Sequence, residues 1–101
     1  MVYVMTQKSN VPQQETMIQL LTVLFPSAKI YLFGSRARED HTERSDIDIA
    51  IDLGRQMEFR EIAQARGVLE GLNLPEKIDV VDINRSGTRE LVLKEGIVWK
   101  N

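Results

Sequence analysis

The sequence predicts a small α/β (α+β) domain, a mixed sheet of three or four strands with helices packed on one face. Three observations carry that prediction. Asp46 to Asp52 alternate strictly, Asp-Ile-Asp-Ile-Ala-Ile-Asp, with the two-residue period of a strand. Ile30-Tyr31-Leu32-Phe33 and Ile78-Asp79-Val80-Val81-Asp82 are apolar-rich runs of strand length. Met17, Leu20, Leu21, Leu24 and Phe25, and later Phe59, Ile62, Ala63, Arg66, Leu69 and Leu72, recur at helical spacing.

Taken in order, residues 1–10 form an N-terminal tail and residues 11–101 the folded domain. Met1 to Val4 are apolar and read as a loosely held tail, with an edge strand or an oligomer contact as the alternative. Ser9-Asn10 offers a cap, Pro12 suits a first helical turn, and the helix is expected to run to Phe25 before Pro26-Ser27 ends it. Ile30–Phe33 is a strand buried on both faces. Gly34 breaks it, and Ser35–Arg38 can form a short helix. Asp46 to about Leu53 is the second strand, stopped by Gly54. A core helix follows from about Met57 to Leu72, closed by Gly71, Asn73 and Pro75. Ile78–Asp82 is the third strand. Ser86 is a candidate cap for a last helix, Thr88 to Glu95, that ends at Gly96. Ile97-Val98-Trp99 forms a short terminal strand or packed tail, with Trp99 in the core or an interface.

The 101 residues suffice for one core, and 43% hydrophobic with 28% charged residues is ordinary for a globular chain. The net charge of −2 argues against tight, sequence-independent binding to nucleic acid, which needs a basic footprint. Without cysteine there is no disulfide, thiolate metal site or cysteine nucleophile. No signal-peptide pattern opens the sequence, and no apolar run reaches membrane-spanning length. A cytoplasmic protein without membrane attachment is expected.

The alternating strand makes two demands. Ile47, Ile49 and Ile51 share one face and need a core. Asp46, Asp48, Ala50 and Asp52 share the other. Carboxylates two residues apart on one face repel, and each raises the other's pKa unless a cation lies between them. Mg²⁺ is held by one or two carboxylates together with substrate phosphates. A phosphate-binding device precedes them: Gly34 lets backbone approach a ligand, and Ser35 opens a helix N-terminus with its hydroxyl at hand. Strand, Gly-Ser turn, loop and Asp-x-Asp strand together describe a nucleoside triphosphate–Mg²⁺ site. Asp52, about 13 Å from Asp48 along the strand, is too far to share an ion and reads as surface or strand-end. Asp79 and Asp82 lie on opposite faces of their strand, so one of them can join the pair. Asp79, between apolar neighbours, is costly to bury without a partner. Asp82 can be solvated or cap a turn. His41 reads as a solvated loop residue rather than a base or ligand.

Gly34-Ser35, ten intervening residues and Asp46-x-Asp48 resemble the nucleotidyltransferases of the polymerase-β superfamily. The run Gly34-Ser35-Arg36-Ala37-Arg38 is similar to the minimal nucleotidyltransferases, the MNT group, often encoded beside a HEPN-domain partner to which they act as antitoxins. The resemblance implies Asp46, Asp48 and Asp79 as catalytic and metal-binding residues holding one or two Mg²⁺ ions. It selects Asp79 by the pattern apolar-Asp-apolar-apolar. Gly34 and Ser35 would bind the nucleotide. Arg36 and Arg38, two apart on a short helix, point in different directions, and of the two Arg36, nearest the turn, would reach the triphosphate, with a surface ion pair as its alternative role. The implied reaction moves AMP from ATP to a hydroxyl of another macromolecule, the HEPN partner. A homo-oligomer is also compatible. The sequence departs from the family where a glycine usually follows the second arginine, since Glu39 and Asp40 stand there. A non-catalytic antitoxin that neutralises its partner by contact is the alternative function. A calcium or sugar-nucleotide site fits poorly, because the aspartates alternate with isoleucine in a strand and the chain is short.

Overall fold

The computed structural model describes residues 11–38, 45–85 and 87–101. The expectations for the N-terminal tail, the Ser9-Asn10 cap, Glu39, Asp40, His41 and Ser86 lie outside the described residues. The elements follow in the order α1 (Gln14–Leu24), β1 (Lys29–Phe33), α2 (Ser35–Arg38), β2 (Ile47–Asp52), α3 (Phe59–Glu70), β3 (Ile78–Asp82), α4 (Thr88–Glu95) and β4 (Ile97–Lys100). One four-stranded sheet has the order β3-β2-β1-β4. β1 pairs antiparallel with β2 and with β4, while β2 and β3 run parallel. Of the two expectations for the Ile-Val-Trp segment, the strand holds: it is a fourth strand rather than a packed tail.

The isoleucine face makes the core. Ile30, Leu32, Ile47, Ile49, Ile51, Val80 and Trp99 form one cluster with Met17 and Leu21 of α1 and with Ala65 and Leu69 of α3. All are sealed from solvent, and each large side chain contributes about 1.5–3 kcal/mol by leaving water. Trp99 is core, although its ring N–H finds no acceptor among the described residues. The one-face expectation holds for α1 and α3. α4 lies over the other face, where Val92 packs with Tyr31, Ala50 and Ile83. Phe59 does not join the inner face of α3: it is the helix's first residue, 80% exposed, with the Arg85 guanidinium 5.0 Å from its ring centroid. Ala63 and Arg66 are exposed as well, and Ala65 takes the buried position instead. No helix among the described residues is long and apolar enough to cross a membrane.

At the far end of β2 and β3, two aspartates are folded inward. Asp82 caps turns, as the sequence allowed. Its Oδ2 accepts the Met57 N–H at 2.7 Å and its Oδ1 the Asn84 N–H at 3.0 Å. Asp52 is at the strand end, as one of its two expectations had it, but not at the surface. It is 7% exposed, and its Oδ1 accepts from Gly54 N–H (2.7 Å) and Asn84 Nδ2 (2.8 Å). Chain reversal after each strand leaves backbone N–H groups that a short acidic side chain satisfies locally. Burial works to raise the Asp52 pKa, but the hydrogen bonds from Asn84 and Gly54 and the charges of Arg89 and Lys29 outweigh it, leaving the carboxyl below its ordinary value. A folded pKa below the unfolded one adds stability that is complete above the unfolded pKa and is lost as pH falls through the folded value. The melting-temperature gap between the wild type and Asp52→Asn should therefore be widest near neutrality and shrink on acidification below about pH 4. A gap constant from pH 7 to pH 2 would contradict this.

Candidate active site

The pairing of three strands builds the site. Phe33 of β1 lies opposite Asp48 of β2, and Asp48 lies opposite Asp79 of β3. Gly34 follows Phe33, so Gly34, Asp48 and Asp79 occupy neighbouring strands at one end of the sheet. The approach between the first two is close: a Cβ on Gly34 would overlap the Asp48 carboxylate. Gly34 also takes φ of +76°, open to glycine and strained for other residues. Its carbonyl accepts the N–H groups of Ala37 and Arg38, both at 3.1 Å, turning the chain into α2 with Ser35 as first residue. Backbone N–H groups in a first helical turn precede its hydrogen-bond ladder and are available to an anion.

Asp48 is half-buried. Burial and then the negative charges of Asp79 and Asp46 push its carboxyl above the ordinary value, opposed by Arg38 and Lys77. Asp46 is exposed, just ahead of β2. Asp48 and Asp79 are thus register neighbours, and Asp46 acts on Asp48 by charge. Among the described residues, no three His, Cys, Asp or Glu side chains are grouped tightly enough to hold a metal ion as they stand. The donor set still fits a hard divalent cation in kind: carboxylate oxygens on one face whose mutual repulsion a cation would relieve.

The two arginines of α2 diverge. Arg36 turns inward and is 4% exposed. Its Nε and Nη2 both donate to the Ser45 carbonyl at 3.1 Å, and Nη2 lies 3.6 Å from the Glu76 carboxylate. It thereby ties the return of the loop, just before Asp46, to the Gly-Ser turn. Arg38 faces outward and donates to Glu95 Oε2 at 3.0 Å. Sequence reasoning ranked Arg38 behind Arg36 and passed over Lys77 and the place of Arg66, whose Nη2 lies 3.9 Å from Asp79 Oδ1. No local signal marks Lys77 or Arg66. The parallel pairing of β3 with β2 brings Lys77 to the aspartates, and the packing of α3 against β3 brings Arg66.

A family model described as "Polymerase beta, Nucleotidyltransferase" matches residues 15–100. The chain belongs to the polymerase beta nucleotidyltransferase family. No curated protein matches this nucleotidyltransferase-family chain in sequence. Among solved structures it is similar to a toxin–antitoxin crystallised with AMP-PNP, at 27% identity and a TM-score of 0.71 over 87% of this chain and 73% of that one. It is also similar to a chain from the complex of the tri-AMPylated Shewanella oneidensis HEPN toxin with MNT antitoxin, at 26% identity and a TM-score of 0.65 over 88% and 71% of the two chains. The MntA-HepT toxin–antitoxin gives the same identity, TM-score and coverage. Solved structures similar to this nucleotidyltransferase fold thus include a complex of an MNT antitoxin with a HEPN toxin.

Proposed function

We propose that this chain is a Mg²⁺-dependent nucleotidyltransferase that moves AMP from ATP to a hydroxyl of a HEPN-domain partner protein, as the cytoplasmic MNT antitoxin of a toxin–antitoxin pair. The observation that carries the reading is the row Gly34–Asp48–Asp79, a phosphate-type turn set against two adjacent carboxylates. The similar structures support it by what they contain, AMP-PNP in one and an AMPylated HEPN toxin in another.

In this reading Gly34 and Ser35 hold the β- and γ-phosphates through backbone N–H groups and the Ser35 hydroxyl. Arg36 serves the same subsite by fixing the loop end at Ser45 beside it. Mg²⁺, held by Asp46, Asp48 and Asp79, would neutralise phosphate charge and lower the pKa of the attacking hydroxyl. Asp79 takes the proton of that hydroxyl as its oxygen bonds to the α-phosphorus. The α–β anhydride bond breaks, and pyrophosphate leaves with the bonding pair.

The test is transfer of label from α-labelled ATP with Mg²⁺, using the chain alone and with its HEPN partner, beside an Asp46→Asn/Asp48→Asn control. Label moving to the partner and lost in the control supports the reading. A tight complex that never carries label would overturn it in favour of neutralisation by contact.

A further inference from the structure

The row of site residues continues past Asp79 into a groove of about 480 Å³. It lies between the end of α3, the α3–β3 connection and the start of β3. Leu74 and Ile78 supply apolar surface, Arg66, Lys77 and Glu70 supply charge, and Asp79 stands at its active-site end. Among the described residues β3 is an edge strand of the sheet, and the groove lies on its outer side.

Resting on the nucleotidyltransferase reading above, we propose that this groove seats the acceptor: an extended segment of the partner protein that delivers its hydroxyl to Asp79. The direction of the reaction argues for it. In phosphoryl and nucleotidyl transfer the attacking and leaving oxygens lie in line on opposite sides of phosphorus. The leaving pyrophosphate belongs to the Gly34–Ser35 end, on β1. The attacking oxygen must then arrive from the opposite side, two strands away, about 10 Å across the sheet. That is where the groove begins.

Its chemistry favours polypeptide over nucleic acid. Glu70, Glu76 and Asp79 line it together with Arg66 and Lys77, an arrangement that repels a polyphosphate backbone yet suits a segment carrying both charges and apolar side chains. Arg66 also donates to the Val80 carbonyl at 3.4 Å, which bridges the wall of α3 to the strand edge. The volume lies within the range of sites that enclose a ligand.

The experiment measures steady-state transfer from α-labelled ATP to the HEPN partner for the wild type, Glu70→Trp and Glu70→Gln, with ATP–Mg²⁺ affinity measured in parallel. Glu70 is exposed on the last turn of α3, so its replacement leaves the core intact. Glu70→Trp, which fills the groove, should raise KM for the partner about tenfold with ATP affinity within twofold of wild type. Glu70→Gln, which keeps it open but removes one of its charges, should raise the partner KM less than Glu70→Trp does. Lower ATP affinity with an unchanged partner KM would place the nucleoside in the groove and overturn the proposal, as would no change in either. A photoreactive p-benzoylphenylalanine in place of Glu70 gives a reading independent of transfer. A crosslink to the partner with no label transfer would sustain the groove while refuting the activity, and absence of a crosslink refutes the groove.

Discussion

Asp48→Asn should lower nucleotidyl transfer by about 10³-fold and raise the melting temperature in the absence of divalent cations. The loss of activity follows from removing the central carboxylate of the row. Metal-assisted charge stabilisation is worth several kcal/mol, at about 1.4 kcal/mol per decade of rate. The gain in stability follows from the electrostatics of the carboxylates when no cation lies between them. Burial, Asp79 and Asp46 hold the folded pKa of Asp48 above its unfolded value. Ionising such a group costs the folded state, and the cost is full above the folded pKa and vanishes as pH falls below the unfolded one. Asparagine carries no charge and escapes that cost. Thermal melts in EDTA should place the variant above the wild type at pH 7, with the gap closing on acidification. Addition of Mg²⁺ should narrow the gap at pH 7 by stabilising the wild type alone. A variant that melts below the wild type in EDTA at pH 7 would refute the repulsion.

Gly34→Ala should reduce transfer on the order of 10²-fold, the scale at which a displacement of about 1 Å damages a positioned reacting group. Two effects combine at this position. The left-handed backbone costs a residue with a Cβ about 1–2 kcal/mol, and the new methyl group meets the Asp48 carboxylate. Gly54 separates the two, because it has the same φ of +76° and nothing within 4 Å of a built Cβ. Gly54→Ala should therefore lose comparable stability and keep its activity. Equal loss of transfer in both variants would mean that backbone strain, not contact with Asp48, governs the site.

The period of two in Asp46–Asp52 could be satisfied only by a strand with isoleucines inward, so the sequence by itself determined β2, its buried face and the shared face of its aspartates. The helices over Gln14–Leu24 and Phe59–Glu70 and the breaks at Gly34, Gly54 and Gly96 were equally local, because each rests on residues a few positions apart. Opposite-face placement of Asp79 and Asp82 was legible for the same reason. Their partners were not. That Asp48 faces Asp79 depends on a parallel pairing across thirty residues of chain, which local periodicity does not encode. Asp52 was legible as a surface or strand-end carboxylate, but its burial depends on Asn84 and the Gly54 turn being brought to it. Arg36 and Arg38, two residues apart, were known to diverge, but only Ser45 and Glu76 made Arg36 the buried one. Phe59 carried the right spacing for the core and lies outside it, because helical period fixes a direction around the axis and not whether the sheet extends beneath the first turn. The groove beside Asp79 has no sequence signature, since its walls come from the end of one helix, a connection and an edge strand that meet only in the folded chain.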